Sequence, residues 1–443
     1  MTTKPRPLLL SRRFLPLFVL LQTGSFNDNL LKNAMIGLIT FVGVVFLPGL
    51  PSPIRVPVAS LIFTGPFLLV SAIAGQIADK VDRSTILKNI KRAEVLIMLI
   101  SGLGFLLSNI WILCVSLFFM GAQSAFFSPT KNAVLPQWLD DKELIRGNAL
   151  LNGFVFVFIL AGMVGGLYLI GMNNGPKLVA ALLLLMSLIG WGASELTPPA
   201  PPPKPHLKVN FEPVSATFNI LRRAFHAPHV LKPMLGIAWF YGFSTIMITT
   251  LPNYVANVMG YDRIVLIILL LGSTLGILFG SLLCMQLAKW RFWGREAIGL
   301  ATLGIVGVVV LVTDLYLNAA DTSVVGADGV RKGLGAFFED TRSLRLLIDI
   351  TLASIFGGLF VVPLQTMAQR RAAPDVRARL MSAGAILLNL AVNFCTFLLI
   401  GLGYMNVPPK TPFLIIILIS LIVAAYAGWR TWVYKTQPQS EAG

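Results

Sequence analysis

Charge is what this chain has least of. Only 12% of its 443 residues are Asp, Glu, Lys or Arg, against roughly 25% in an average water-soluble domain, so a large water-soluble domain is excluded. Its three cysteines, Cys114, Cys284 and Cys395, lie far apart with no CxxC or Cys/His spacing. Neither a disulfide framework nor a metal site is indicated, and no cofactor is implied. None of His206, His226 and His229 has an aspartate five residues on, and no GxSxG elbow occurs. Those absences argue against an embedded acyltransferase or hydrolase, and the chain is not expected to be an enzyme. A cleaved leader is also a poor reading of the N-terminus. The first apolar stretch is long, carries Asp28 and Lys32, and is not followed by a small-x-small cleavage site.

What remains is apolar. Stretches long enough to cross a bilayer, about 20 residues each, fall near 14–45, 58–78, 93–109, 110–130, 148–171 and 177–196, and again near 232–257, 263–288, 297–317, 344–368, 380–404 and 412–433. The fold class is therefore an all-α membrane protein of twelve transmembrane helices in two six-helix halves. The net charge of +16 invites a nucleic-acid reading, but the bases are sorted by connection. Of 35 Lys and Arg, 26 fall at the termini or on every second connection, and so on one side, and Lys32 lies inside a span. By the positive-inside rule this is an orientation signal with no nucleic-acid partner, and it places both termini in the cytoplasm.

The composition changes at Thr197, where Pro198, Pro199, Pro201, Pro202, Pro203 and Pro205 favour extended polyproline geometry. This divides the chain into residues 1–196, a cytoplasmic linker 197–231, and residues 232–443. Within the linker, Phe218, Leu221, Arg222 and Phe225 have helical spacing, which suits either an amphipathic helix on the membrane face or a solvated linker helix. The halves also repeat. Pro129 and Pro363 end the fourth span of each, a charged loop follows, and the fifth span carries Asn148 and Asn152 in one half and Asn389 in the other. Parallel six-helix repeats of this kind describe the major facilitator architecture, with its substrate site at the midplane between the halves. The outer connection from Asn318 to Thr341 is longer and more polar than its counterparts.

After span 2 the chain reads Gly75-Gln-Ile-Ala-Asp79-Lys80-Val-Asp-Arg83-Ser84, which resembles the major facilitator signature GxxxD(R/K)xGR(R/K). Gly75 is expected to allow close helix approach, and Asp79, Lys80 and Arg83 to form a conformational latch. Asp82 stands in for the usual glycine and Ser84 for the final base. In the second half Cys284 occupies the place of the aspartate, so any latch is asymmetric.

Span 1 contains Asn27, Asp28, Asn29, Lys32 and Asn33 in the middle of an apolar helix. An ionisable group there costs about 2.5–3.5 kcal/mol on insertion scales, so this run must face protein or a wet cavity. Asp28 and Lys32 are one turn apart. They either neutralise each other or read a ligand, and the surrounding amides offer more hydrogen bonding than an ion pair needs. Gln123, Lys131, Asn148, Asn152, Asn253, Gln365, Asn389 and Asn393 are further cavity candidates, each otherwise ordinary interhelical glue. Asp349, one turn after Arg345, is divided between intrahelical pairing and a gating contact. Glu94 reads as a boundary charge, and Gly272, Gly276 and Gly280 as a packing stripe or, alternatively, as a face on which span 8 slides against its partner to open a lateral gate.

Phe26-Asn27-Asp28-Asn29-Leu30-Leu31-Lys32 together with Ala125 to Pro136 resembles the lysophospholipid transporter branch of the major facilitators. Further matches are Trp239-Phe240-Tyr241-Gly242, Leu251-Pro252-Asn253-Tyr254, Gly280 to Cys284, and Phe356 to Leu364. The resemblance implies flipping of lysophospholipids such as lysophosphatidylethanolamine across the bacterial inner membrane, with lateral lipid entry and alternating access. It also implies a coupling cation, Na+ or H+, contributions from Trp239 and Tyr241, and a separate acyltransferase acting downstream. An exporter of amphipathic drugs or metabolites is the alternative. The chain departs from the family at Ser382-Ala383-Gly384-Ala385, where paired asparagines are common.

Overall fold

The computed structural model describes residues 8–436 except 45, 47, 48, 203, 204, 207, 208, 210, 211, 213–216, 219, 220, 223, 291, 292, 294–296, 321–330 and 373–376. Within helices, the side chains of 72, 132, 133, 141, 142, 144–146, 148, 149, 152, 153, 377–379, 381, 382 and 434–436 are also outside it. The described residues form twelve long helices. They are α1 Leu15–Gly37, α2 Ser52–Lys80, α3 Arg83–Leu106, α4 Ile110–Trp138, α5 Asp141–Leu169, α6 Gly175–Glu195, α7 Pro228–Asn253, α8 Arg263–Leu287, α9 Ile298–Asn318, α10 Thr341–Arg371, α11 Arg377–Tyr404 and α12 Thr411–Thr436. Nine are long and apolar enough to cross a membrane. The other three are α1, α3 and α5, the first two being those with charge in their middle. Of the linker stretch expected to be amphipathic, only 217, 218, 221, 222, 224 and 225 are described, and all are helical.

Polar residues mark the breaks, because a helix start leaves backbone N–H groups without partners. Asn109 accepts from Trp111 N at 3.0 Å and Ile112 N at 3.2 Å to open α4, after a turn at Ser108 with φ of 49°. Asp82 accepts from Thr85 N at 2.9 Å to open α3, and Asp140 with Glu143 forms a capping box on α5.

Two compact units emerge from the contacts: Met1–Leu50 with Val58–Phe218, and Pro51–Pro57 with Asn219–Gly443. In the first, α1 packs on α5 and α6, and α3 on α4 and α6. In the second, α7 packs on α11, α9 on α10 and α12, and α10 on α8. The pairings α1/α5, α3/α4 and α3/α6 thus recur as α7/α11, α9/α10 and α9/α12, the packing counterpart of the repeat in the sequence.

The stripe Gly272, Gly276 and Gly280 does what its spacing suggests. A Cβ on Gly276 would sit 2.6 Å from Thr351 O and one on Gly280 would sit 2.0 Å from Ile355 O, so α8 and α10 touch backbone to backbone. Gly75 does not. A Cβ there would meet nothing within 4 Å among the described residues, so no close approach is seen at that position among them. Gly280→Ala is therefore expected to destabilise the second unit by about 1–3 kcal/mol through overpacking. Gly75→Ala is expected to leave stability unchanged or raise it by about 0.4–1 kcal/mol. Thermal melting of the detergent-solubilised variants checks both, and equal melting temperatures would contradict the packing difference.

Candidate functional site

Along α1, Ser25, Asp28, Asn29 and Lys32 are partly accessible while Phe26, Asn27, Leu30, Leu31 and Ala34 are buried. The spacing of 25, 28, 29 and 32 is that of one helix face, so the accessible stripe is polar and the buried one carries the core. The buried side meets α5 closely, because a Cβ on Gly162 would lie 2.4 Å from Phe26 O.

Asp28 and Lys32 do not close an ion pair with each other. Both oxygens of Asp28 accept from Ser124 Oγ of α4, at 3.2 and 2.9 Å, and the Lys32 ammonium lies 5.7 Å from the centroid of the Phe63 ring. The two charges act on one another only at longer range. Ser124 was not among the sequence candidates; its signal was its place one residue after Gln123. Two of the amides turn back on the helix, Asn29 Nδ2 donating to Ser25 O at 2.8 Å and Asn33 Nδ2 to Asn29 O at 2.9 Å.

Asn27 points the other way, into a buried hub centred on Glu94. This residue is no boundary charge: it is 0% exposed. Lys91 Nζ donates to its Oε2 at 2.7 Å, Gln123 Nε2 to the same oxygen at 3.1 Å, and Asn27 Nδ2 to Oε1 at 3.1 Å. Lys91 is 1% exposed, so it also leaves the group of basic loop residues in which the charge pattern placed it. Arg92, its neighbour in sequence, pairs with Glu195 at 2.9 Å at the end of α6. Sequence order alone could not separate the two bases, since they differ by one position and hence by about 100° around the helix. A Cβ on Gly24 would come within 3.0 Å of Lys91 Nζ, and one on Gly190 within 2.6 Å of Thr23 Oγ1. The helices around the hub thus have little room to spare.

At the end of α2, Asp79 and Arg83 are the two of the three expected latch residues that meet among the described residues. Arg83 Nη2 lies 3.4 Å from Asp79, whose side chain is 44% exposed, while Arg83 Nε donates to Ala78 O at 3.1 Å; Lys80 is exposed. The two departures from the signature have their own work. Asp82 caps α3 and accepts from Ala200 N at 3.0 Å, and Ser84 Oγ is 2.7 Å from Thr197 Oγ1. With Trp138 Nε1 on Pro199 O and Gln137 Nε2 on Pro201 O, both at 3.2 Å, they fix the start of the proline-rich linker to the first unit. In the second unit Cys284 sits in an apolar cluster with Leu300 and Leu359, so no charge stands in the equivalent place.

The remaining candidates are dispersed. Lys131 is half-buried near the end of α4, and Asn152 is in α5 with its side chain outside the described residues. Trp239 stacks on Phe243 at 5.6 Å and meets Phe360 edge-on at 5.1 Å. Tyr241 lines a pocket of about 150 Å³ with Gln365 and Gln369, walled by Gly384 and Ala385 of α11. Gly384 and Ala385 therefore shape a pocket wall. Asn253 Oδ1 accepts from Ser52 Oγ and Asn257 Nδ2, both at 2.9 Å, and lines a separate cavity of about 280 Å³. Asn389 donates to Ala385 O at 3.0 Å. Of the two readings of Asp349, the intrahelical pair with Arg345 is not formed, because Arg345 reaches Asp314 of α9 instead, Nε to Oδ2 at 2.7 Å. Asp314 escaped the sequence reading, although a lone carboxylate within an apolar span is itself a signal.

The family model of the Major Facilitator Superfamily matches residues 14–326. Similar curated proteins include the lysophospholipid transporter LplT of Cronobacter sakazakii, 22% identical with 97% of this chain and 98% of the relative covered. The LplT of Pectobacterium carotovorum is 24% identical over 90% and 88%. Among solved structures, a bacterial homolog of the human lysosomal transporter Spinster, in an inward-facing and unoccupied conformation, aligns with a TM-score of 0.62 at 15% identity. That alignment covers 99% of this chain and 100% of the other. A POT family transporter in complex with 5-aminolevulinic acid aligns with a TM-score of 0.63 at 12% identity, covering 93% and 96%. The fold likeness and the family match agree with the motifs in α1, α4, α7, α8 and α10, and the chain belongs to the Major Facilitator Superfamily, in which its sequence relatives are lysophospholipid transporters.

Proposed function

We propose that this protein is a secondary-active transporter, not an enzyme, that flips lysophospholipids across the bacterial inner membrane by alternating access. The observation that supports it most is the division of labour on α1. Asn27 and Gln123 turn their amide donors to the buried Glu94, while Asp28 and Lys32 stay on a partly accessible stripe without pairing to each other. Opposite charges so arranged suit a zwitterionic head group, its ammonium toward Asp28 and its phosphate toward Lys32, through charge-assisted hydrogen bonds. The acyl chain is expected to remain among apolar side chains and lipid, which spares it contact with water. A separate acyltransferase would take the product.

Radiolabelled lysophosphatidylethanolamine uptake into proteoliposomes containing only this protein tests the reading. Uptake above empty liposomes supports it, and efflux of amphipathic dyes without lysolipid movement would replace it with a drug exporter. The orientation has its own check. A cysteine introduced at Ser323 in the connection before α10 is expected to react with an impermeant thiol reagent from outside the cell, and one at Ser215 in the linker is not. The reverse labelling would overturn the charge rule on which cytoplasmic termini rest.

A further inference from the structure

A cavity of about 350 Å³ lies wholly within the second unit, where the end of α9 meets the start of α10. Backbone bonds hold its rim in place. Lys332 N donates to Gly260 O at 2.8 Å and Asp262 N donates to Lys332 O at 3.0 Å, which ties the connection before α10 to the start of α8. Asp340 caps α10 by accepting from Arg342 N at 3.2 Å, and it also accepts from Ser343 Oγ at 2.6 Å and from the Tyr261 hydroxyl at 3.3 Å. That carboxylate is spent on structure.

Three other charged side chains on the cavity are not spent in this way. Lys332 and Arg342 are exposed, and neither forms an ion pair among the described residues. Asp349 is 4% exposed, and its Oδ2 has no hydrogen-bond partner among the described residues. Arg342, Leu346 and Asp349 all line the cavity, and their spacing of four and then three residues puts them on one face of α10. Seven residues of helix rise about 10 Å, so a cationic rim stands above a carboxylate floor with Leu346 between them. Asn318 of α9 donates its Nδ2 to Asp314 O at 2.7 Å, which leaves its carbonyl oxygen as a further acceptor on the wall. Lys332 and Arg342 against Asp340 and Asp349 make ionised walls of no net charge. A bare anion would leave the buried carboxylate without a partner, and a bare cation would meet two bases at the rim. A ligand carrying both charges satisfies both ends: a guanidinium fork and an ammonium donate to phosphate, and a ligand ammonium, with three donors and no acceptor, complements a carboxylate and an amide oxygen.

We propose that this cavity binds a zwitterion in which an organic ammonium is joined by a short chain to a phosphodiester, the phosphate held at Lys332 and Arg342 and the ammonium at Asp349 and Asn318. Lipid head groups and their free, deacylated forms share this chemistry. Every wall lies in the second unit, so the site is separate from Asp28 and Lys32 and does not rest on the reading given to them.

Equilibrium dialysis of radiolabelled glycerophosphoethanolamine against the full-length protein carrying Asp28→Asn tests it, because that background removes the negative charge of the candidate site in the first unit. Saturable binding is expected, and adding either Asp349→Asn or Arg342→Gln should weaken it by about tenfold or more. Arg342 is exposed, so its variant should fold whatever becomes of the buried one, and melting temperatures check both. Glycerol phosphate and ethanolamine should each compete at least about tenfold less well than the unlabelled zwitterion. Displacement by lysophosphatidylethanolamine would support the site with a lipid head group as its ligand, and binding without such displacement would support it with the free phosphodiester. No saturable binding, binding that neither variant weakens, or equal competition by glycerol phosphate or ethanolamine alone would overturn the proposal, the last by making this a site for a simple ion.

Discussion

Replacing Glu94 with alanine is expected to cost the first unit about 3–5 kcal/mol, the penalty of breaking a buried ion pair from one side. Lys91 would keep its ammonium where it is 1% exposed, 2.7 Å from a carboxylate no longer there, and Asn27 and Gln123 would lose an acceptor each. Three donors from α1, α3 and α4 converge on this one side chain, so the loss is shared by three helices. The double variant Lys91→Met with Glu94→Gln removes both charges and keeps a carbonyl oxygen for one of the amides. It is expected to recover most of the stability, since paired removal of buried charges is often neutral. Melting temperatures of the single and double variants decide it. A Glu94→Ala protein as stable as wild type would mean that Lys91 finds water or another partner.

The twelve helices and their pairing into two repeats were legible because apolar length and the sorting of bases are one-dimensional signals. Helix-facing direction was not. Asn27 and Asp28 are adjacent in sequence, yet one enters the hub and the other faces Ser124 on the accessible stripe; a polar run cannot say where the helix turns each member. The same limit misplaced Lys91 and Glu94, whose distance from the start of α3 matches an interfacial charge until α4 and α6 are packed over them. The signature after α2 taught a different lesson. Its family pattern suggested what Asp79 and Arg83 do, but the positions that depart from it, Asp82 and Ser84, hold the linker at Ala200 and Thr197. Partners more than a hundred residues away leave no trace in local spacing.

Asp28→Asn is expected to lower lysolipid transport by tenfold or more, about 1.4 kcal/mol or above in the limiting barrier, while leaving the melting temperature near that of wild type. The two readouts separate this site from the hub. Asp28 sits on the accessible stripe, where its hydrogen-bond partner among the described residues is a hydroxyl; asparagine keeps the shape and an oxygen for Ser124. The lost quantity is the negative charge. Had Asp28 served only to neutralise Lys32, the double variant Asp28→Asn with Lys32→Met would restore transport by removing the unpaired charge. The geometry argues against rescue, because Lys32 lies over the Phe63 ring and no ion pair holds the two together. The double variant should therefore fold, insert and remain inactive, and Ser124→Ala should weaken transport less than Asp28→Asn because the charge survives. A folded double variant with the wild-type rate would reduce Asp28 and Lys32 to a structural pair and shift the search for the head-group site to Tyr241 and Gln365 in the second unit.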